Sequence, residues 1–281
     1  MINVMFWNAG VRNIESDKEK IDKIENAIVE IVIKHDCDIV VLAEYNVNVE
    51  MLCEKLAKQN RFFKERMSVN NTTRVKILAR DFFTTNIIRD SRYYAIHDFE
   101  WTGIHFLLAG IHLPSKLHNN GNQLIAGRRL IEAVIQSEKE VDHEKIFIIG
   151  DFNAGPYEDL MSSFEYMHAI YDSEIVRKIK ERTVCEEKRP LFYNPMWNVL
   201  GDNDIPKGSY YYDSSSAMNL YWYVFDQVLM SSDCIDAYRK NSLKIITEIG
   251  NVKLTRVNGV PDKANYSDHL PVFFSFREDL L

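Results

Sequence analysis

Residues 145–156 read KIFIIGDFNAGP. Ile146, Phe147, Ile148 and Ile149 make a continuous apolar run of strand length, which predicts a strand covered on both faces. The run ends in Asp151 and Asn153, and a Gly155–Pro156 pair then opens a new element, since proline fits the first turn of a helix. A polar side chain at the carboxyl end of a buried strand reaches water or ligand while its backbone is held rigidly. Such an end is a good place to build a site.

Working outward, the same alternation of strand and helix fills the chain. Strands are predicted at 2–7, at DIVVLAE (38–44), RVKILAR (74–80), GIHFLLAGIHL (103–113), 221–231 and 270–276. A helix over 17–34 carries Ile21, Ile24, Ile28 and Ile31 at steps of three and four, with Asp17 as its cap. A weaker helix covers 49–58. Another covers 122–138, with Leu124, Ile131, Val134 and Ile135 on one face. The helix opened by Pro156 would turn Leu160, Phe164 and Met167 inward. The stretch from about 183 to 220, dense in Tyr, Asn, Asp, Ser and Pro, is too long for a structureless connection unless it is functional or has hidden structure. No Pro/Gly/Ser linker divides the chain, so one domain over 1–281 is expected, with sheets covered by helices.

Several strand runs carry a polar residue at one end. Asn8 follows the first, Glu44 ends the second and His112 ends GIHFLLAGIHL. Asp226 interrupts YWYVFDQVLM (221–230), and Asp268 and His269 precede LPVFFSF (270–276). Each has an ordinary reading when taken alone. Asn8 would be a turn former, Glu44 a solvated strand end, His112 a structural histidine, Asp226 the partner of an arginine, and SDH (267–269) a capping turn. Their occurrence in one chain, each beside an apolar run, is what points to a site.

Composition narrows the class. The chain has 281 residues, 46% of them hydrophobic, which excludes a disordered, collagen-like or disulfide-scaffold protein. No stretch approaches the roughly 18 uninterrupted apolar residues of a membrane span. Net charge is −7, so a general basic coat for nucleic acid is absent, although a local site can still carry metal and basic residues. Cys37, Cys53, Cys185 and Cys234 form no C-x-x-C pair and are too scattered for a structural zinc site. Reduced thiols and, with no secretory segment in the opening MINVMFWNAG, a cytoplasmic location are expected.

The order of these motifs resembles that of the endonuclease/exonuclease/phosphatase superfamily, the DNase I-like fold. IIGDFNAGP and SDHLPV are the strongest matches, joined by LAEYN, GIHLPS and FDQVLMS, and the resemblance runs from FWNAG to SDHLPVFFSF. Where the family often has Gln before its metal-binding Glu, this chain has Ala43. The resemblance implies an α+β, four-layer sandwich of two packed mixed β-sheets flanked by helices. It implies that Glu44 ligates a divalent metal, Mg²⁺ or Mn²⁺, with Asn8 nearby and Asp268 helping to hold the ion or its waters. Asp151 and Asn153 would orient or activate the attacking water and the phosphate, and His269 would act with Asp226. His112 matches a second histidine of the DNase, sphingomyelinase and inositol-phosphatase branches, at a position that usually differs in the abasic-site endonuclease branch.

The chemistry explains the combination. A phosphodiester is anionic and has a poor leaving group. A hard cation held by carboxylates neutralises it, and a carboxylate beside a histidine fixes the ring's tautomer and raises its basicity. The family hydrolyses several kinds of phosphoester, so the resemblance fixes a reaction class only. Arg74, Lys76, Arg80, Lys116, Arg128 and Arg129 lie in segments that could flank the site. The stretch 190–225 carries ten aromatic rings, Trp197 and Tyr210–Tyr212 among them, which would either stack on bases or fill space between the sheets. The first expectation is a metal-dependent nuclease, with Arg74, Lys116 and Trp197 touching a nucleic-acid substrate. The alternatives are a phosphatase or phosphodiesterase acting on inositol phosphates, lipid head groups or small nucleotides, and a non-catalytic binding module on the same fold.

Overall fold

The apolar runs become the inner strands of two sheets. In the computed structural model, which describes residues 1–11, 18–70, 73–116, 120–201, 206–215 and 219–281, the chain opens with β1 (Ile2–Val11), α1 (Lys18–His35), β2 (Ile39–Tyr45), α2 (Glu50–Ala57), β3 (Phe63–Arg66) and β4 (Val75–Arg80). A meander of β5 (Thr84–Asp90), β6 (Tyr94–Trp101) and β7 (Ile104–His112) leads into α3 (Asn120–Val141) and β8 (Ile146–Asp151). Then come α4 (Asp159–Ser162), β9 (Ala169–Ile170), α5 (Ser173–Ile179), the hairpin β10 (Glu181–Val184) and β11 (Glu187–Pro190), and β12 (Phe192–Tyr193). β13 (Tyr210–Tyr211) pairs with β14 (Trp222–Tyr223). β15 (Asp226–Met230), β16 (Lys244–Ile245), the small hairpin β17 (Glu248–Ile249) and β18 (Val252–Lys253), and β19 (Val272–Phe276) complete the chain.

The first sheet has the order β16-β19-β1-β2-β4-β3 and the second β5-β6-β7-β8-β15-β12-β9. At the heart of each lies a parallel pair, β1 with β2 and β7 with β8, joined by a helix as parallel strands require. Antiparallel strands flank both pairs. The period of two along β8 divides its side chains between two apolar clusters. Phe147 and Ile149 join the cluster between the sheets, with Val41 and Ile77. Ile146 and Ile148 join the cluster under α3, with Leu130, Ile131 and Val134. Phe147 stacks on Phe276 across the sandwich, ring centroids 4.3 Å apart. Each such side chain contributes about 1.5–3 kcal/mol on burial. With α1 burying Ile21, Ile24, Ile28 and Ile31 on the far side of the first sheet, the layers are helix, sheet, sheet and helix, the mixed four-layer α/β sandwich expected.

Some expectations are corrected. The helix opened by Pro156 is a single turn, because the chain goes extended at Ser163 (φ −73°, ψ 143°). Leu160 and Met167 are buried, but Phe164 is half-buried against His168. The strand placed at 221–231 is two: β14 pairs with β13, the chain breaks at Val224–Phe225, and Asp226 starts β15 rather than interrupting a strand. The β5–β6 hairpin over 84–101 was not anticipated. The stretch 183–220 has structure of its own in β11, β12 and β13, and in a 3₁₀ turn over Pro195–Val199. Asp17, expected to cap α1, lies outside the described residues. All four cysteines are unpaired, Cys37 and Cys234 buried, Cys53 partly buried and Cys185 exposed. Among the described residues no helix is long and apolar enough to cross a membrane.

Candidate active site

β1, β2, β7 and β8 finish at one end of the sandwich, and the antiparallel β15 and β19 begin there. The strand ends therefore meet. In the second sheet His112, Asp151 and Asp226 are direct neighbours across β7, β8 and β15. The close approach of β7 to β8 requires Gly150. It has φ +155°, and a Cβ on it would lie 2.0 Å from the Ile111 carbonyl oxygen. Asp151 is 1% exposed and is the hub. Its Oδ1 accepts from the Asn153 backbone N–H (2.8 Å) and its Oδ2 from Asn8 Nδ2 (2.9 Å). The same Oδ2 is 3.9 Å from Nε2 of His112 and 3.9 Å from Nε2 of His269.

The first sheet brings the other half. β1 bulges after Asn8, whose Oδ1 accepts from the Gly10 N–H (3.2 Å). Ser267 Oγ donates to the Asn8 carbonyl (2.6 Å) and accepts from the His269 N–H (3.1 Å), and Trp7 Nε1 donates to the His269 carbonyl (2.9 Å). These bonds fix the SDH turn against β1. His269 Nδ1 then meets Asp226 Oδ2 at 2.8 Å, while the Asp226 N–H donates to Ser209 Oγ (3.1 Å). Glu44 sits in the left-handed region (φ +46°), a costly backbone state typical of functional positions, with Oε1 3.5 Å from His112 Nε2. Asn153 shares that state (φ +52°). Its Nδ2 donates to the Leu113 carbonyl (2.9 Å), so its amide N–H₂ braces the loop. Gln123 of α3 braces it further, donating to the carbonyls of Phe152 and Asn153 (3.1 and 2.7 Å).

Burial drives the protonation states. It raises the proton affinity of Asp151, a rise that the His269 cation opposes and Asp226 reinforces. Burial works against a charged His269, but the carboxylates of Asp226 and Asp151 outweigh it and carry the ring well above its usual range. Asp268 is also pushed up by burial, yet His269 and Lys263 bring it below the ordinary carboxylate value.

The donor set suits a divalent cation. Ligand atoms of Asp151, Asp226 and His269 lie within 4.8 Å of one another, and Glu44 adds a further carboxylate beside His112. Asp226 Oδ1 is buried with no hydrogen-bond partner among the described residues, an acceptor that a cation would satisfy. Mostly oxygen donors with an excess of negative charge are what hard ions such as Mg²⁺ or Mn²⁺ take.

The structure thus brings together Asn8, Glu44, His112, Asp151, Asn153, Asp226 and His269. Asp268 stands next to them with its Oδ2 ion-paired to Lys263 Nζ at 2.7 Å. Two of the expected substrate contacts are at the rim. The pairing of Ala43 with Val75 sets Arg74 level with Glu44, its guanidinium 5.7 Å from the Tyr93 ring centroid. Lys116 follows β7 and is ion-paired with Glu158. Trp197 is elsewhere: it lies on the 3₁₀ turn with its ring against Tyr171, centroids 5.5 Å apart. The ring beside His269 is Tyr210, centroid 4.5 Å away and bridged to it by backbone pairing, with Phe225 stacked behind at 5.3 Å. Sequence reasoning missed the roles of Ser209, Tyr210 and Gln123. Ser267 was visible inside the SDH motif.

No family model and no curated protein matches the sequence. Solved structures do match in shape over 98% of this chain. An endonuclease/exonuclease/phosphatase family protein from Bacteroides thetaiotaomicron is 14% identical, with a TM-score of 0.62 and 97% of its chain covered. The 3′ phosphatase NExo from Neisseria, bound to a product DNA hairpin, is 14% identical with a TM-score of 0.56 and 99% coverage. A mannosyl-6-phosphatase from Bacteroides thetaiotaomicron is 14% identical with a TM-score of 0.58 and 99% coverage. At such identities the likeness is one of fold.

Proposed function

We propose that this chain, which has the DNase I-like fold of the endonuclease/exonuclease/phosphatase superfamily, is a divalent-metal-dependent phosphodiesterase that cleaves nucleic acid. The observation that carries the reading is the buried Asp226–His269 pair directed at Asp151, with Asn8 and His112 closing round the same carboxylate and Glu44 beside His112. Asp226 fixes the tautomer and orientation of His269 through Nδ1, which leaves Nε2 to face the reacting centre. The charged ring stabilises the phosphate oxygens. Asp151, held by Asn8 and the Asn153 N–H and raised in proton affinity by burial, orients the attacking water and takes its proton. Asn8 sets that carboxylate without adding charge, and Arg74 at the rim offers a guanidinium to a neighbouring phosphate. Glu44 and the Asp151 cluster would hold a divalent ion, which when bound would neutralise charge on the phosphate and on the departing oxygen.

Support for a polynucleotide comes from the rings of the 206–225 region. Tyr210, Tyr212, Tyr223 and Phe225 form a partly exposed aromatic wall that begins at His269, with the Tyr210 and Tyr212 rings nearly parallel at 12°. Bases stack on such walls without sequence preference. One observation favours a small phosphomonoester instead: the cations Lys116 and Lys263 beside the site are neutralised by Glu158 and Asp268. The test is a panel of plasmid DNA, RNA, inositol phosphates, sugar phosphates and a nitrophenyl phosphodiester, with Mg²⁺ or Mn²⁺. Strand cleavage that stops in EDTA is the expected result. Turnover confined to monoesters replaces the nuclease reading with the phosphatase one. Inertness on the whole panel, with retained binding, makes the chain a binding module.

A further inference from the structure

The end of the sandwich opposite the catalytic cluster carries a second carboxylate between imidazoles. Asp98 lies on β6, and His105 stands near the start of β7, about 23 Å along the strand from His112 at a rise of ~3.3 Å per residue. His143 lies in the connection from α3 to β8. His105 Nδ1 is 3.0 Å from Asp98 Oδ2, and His143 Nε2 is 3.5 Å from Asp98 Oδ1. Each imidazole thus addresses its own oxygen of one carboxylate. Asp98 is only 8% exposed. Its Oδ1 and His143 Nε2 are both buried, and among the described residues neither has a hydrogen-bond partner. The two atoms face each other as an ion pair at 3.5 Å, longer than an ordinary hydrogen bond and close to the spacing of two ligand atoms on one four-coordinate ion.

We infer that Asp98, His105 and His143 form a second metal site, for zinc or a similar first-row transition ion. Two imidazoles and one carboxylate are borderline donors of the kind such ions select, unlike the oxygen-rich set at the catalytic end. The ring centroids of His105 and His143 are 6.5 Å apart. Sharing one four-coordinate ion brings them to about 5 Å, given metal–nitrogen bonds of about 2.1 Å. His105 supplies the movement, because its side chain is 47% exposed while Asp98 and His143 are held. The same exposure leaves the fourth position open to water. Glu100, paired directly with His105 across the hairpin and on the same face as Asp98, adds negative charge beside the ion. Occupied, the site ties the β6–β7 hairpin to the segment that enters β8.

The test is zinc binding to the full chain in excess Mg²⁺, measured by competition with a chromophoric chelator. The wild type is expected to bind one zinc more tightly than His105→Ala or His143→Gln, each of which loses at least tenfold in affinity. His105 is half exposed, so its variant stays informative if the His143 variant fails to fold. Cobalt(II) is expected to give a visible absorption band that both variants lose. On a His269→Ala background the zinc is expected to remain bound. Equal affinity in wild type and variants, or loss of zinc on the His269→Ala background, overturns the site.

Discussion

The two ends of the β7–β8 pair repeat a theme with different materials. At the proposed catalytic end Asp151 lies between the Nε2 atoms of His112 and His269, each 3.9 Å away. At the far end Asp98 lies between His105 and His143, at 3.0 and 3.5 Å. Asp151 accepts from two N–H donors, Asn8 Nδ2 and the Asn153 backbone, whereas the Oδ1 of Asp98 faces only the His143 ring, at 3.5 Å. The sources differ as well. The catalytic end combines both sheets, from Asn8 near the start of the chain to His269 near its close. The far end draws only on residues 98–143, within one sheet and its crossover. A buried carboxylate between histidines is therefore not a function in itself. What distinguishes the Asp151 end is that fixed donors already orient its acid, as the proposed function requires.

The sharpest way to test that contrast is to remove charge at the catalytic end alone. Glu44→Ala is expected to lower turnover by two to four orders of magnitude, with an unchanged melting temperature, because the side chain is at the rim. Retained activity, or full activity of the wild type in excess EDTA, would sink the metal assignment. Next come Asp226→Asn and His269→Ala. Each is expected to cost on the order of a hundred- to ten-thousand-fold, and the double variant little more than the worse single one, since the two act through one ring. Losses that simply multiply in a kinetic cycle would separate them.

A smaller effect distinguishes Tyr210 from Trp197. Tyr210→Ala is expected to raise the Michaelis constant for an oligonucleotide roughly five- to a hundredfold, from a stacking contribution of about 1–3 kcal/mol, while sparing a nitrophenyl phosphodiester. Trp197→Ala, which removes a ring packed on Tyr171, is expected to leave both constants alone and lower the melting temperature. The reverse pattern would move the substrate path to the 3₁₀ turn.

The smallest expected effect belongs to the far end. Asp38, just before β2, accepts from the Asn3 N–H (2.9 Å), and burial lifts its pKa from 3.8 to about 6. A raised carboxylate favours the folded state fully below pH 3.8. That contribution is lost as pH climbs through 6. Asp38→Asn is therefore expected to gain on the wild type between pH 4 and 6, by on the order of 1–3 kcal/mol. Denaturant melts across that range, with a flat difference, would refute it.

What could be read from the sequence follows burial. Strands covered on both faces, such as 38–44 and 145–152, show as unbroken apolar runs, and the polar residues at their ends stand out by contrast. The β5–β6 hairpin escaped because β5, TTNIIRD, is a half-exposed edge strand with no clean alternation. The Pro156 helix was over-read because Leu160 and Met167 are buried, as a helix face would be, although a loop brings Met167 in. Asp226 and His269 were legible as motifs. Tyr210 was not, since its place depends on a backbone bridge to His269 that no local pattern encodes. The place of Trp197 was no more legible, because the irregular sequence around it carries no information about which side of the sheet its ring faces.

The pairing of β1 with β19 has a consequence for how the protein is made. Ile2–Phe6 is zipped to Val272–Phe276, and Ser267 and Trp7 join Asn8 to His269 over the same span. β1 can pair with β2 early in synthesis, but its other edge stays open until β19, more than 200 residues later, has been made. At about 5–20 residues per second that delay is on the order of ten seconds to a minute. Throughout it, an apolar strand edge is exposed to other nascent chains, and Asn8 and Glu44 stand without His269. The cluster around Asp151 is therefore complete only once β19 and the turn before it have been made, and a chain cut short before residue 267 would keep most of the sandwich but lack His269, the histidine on which the proposed chemistry rests.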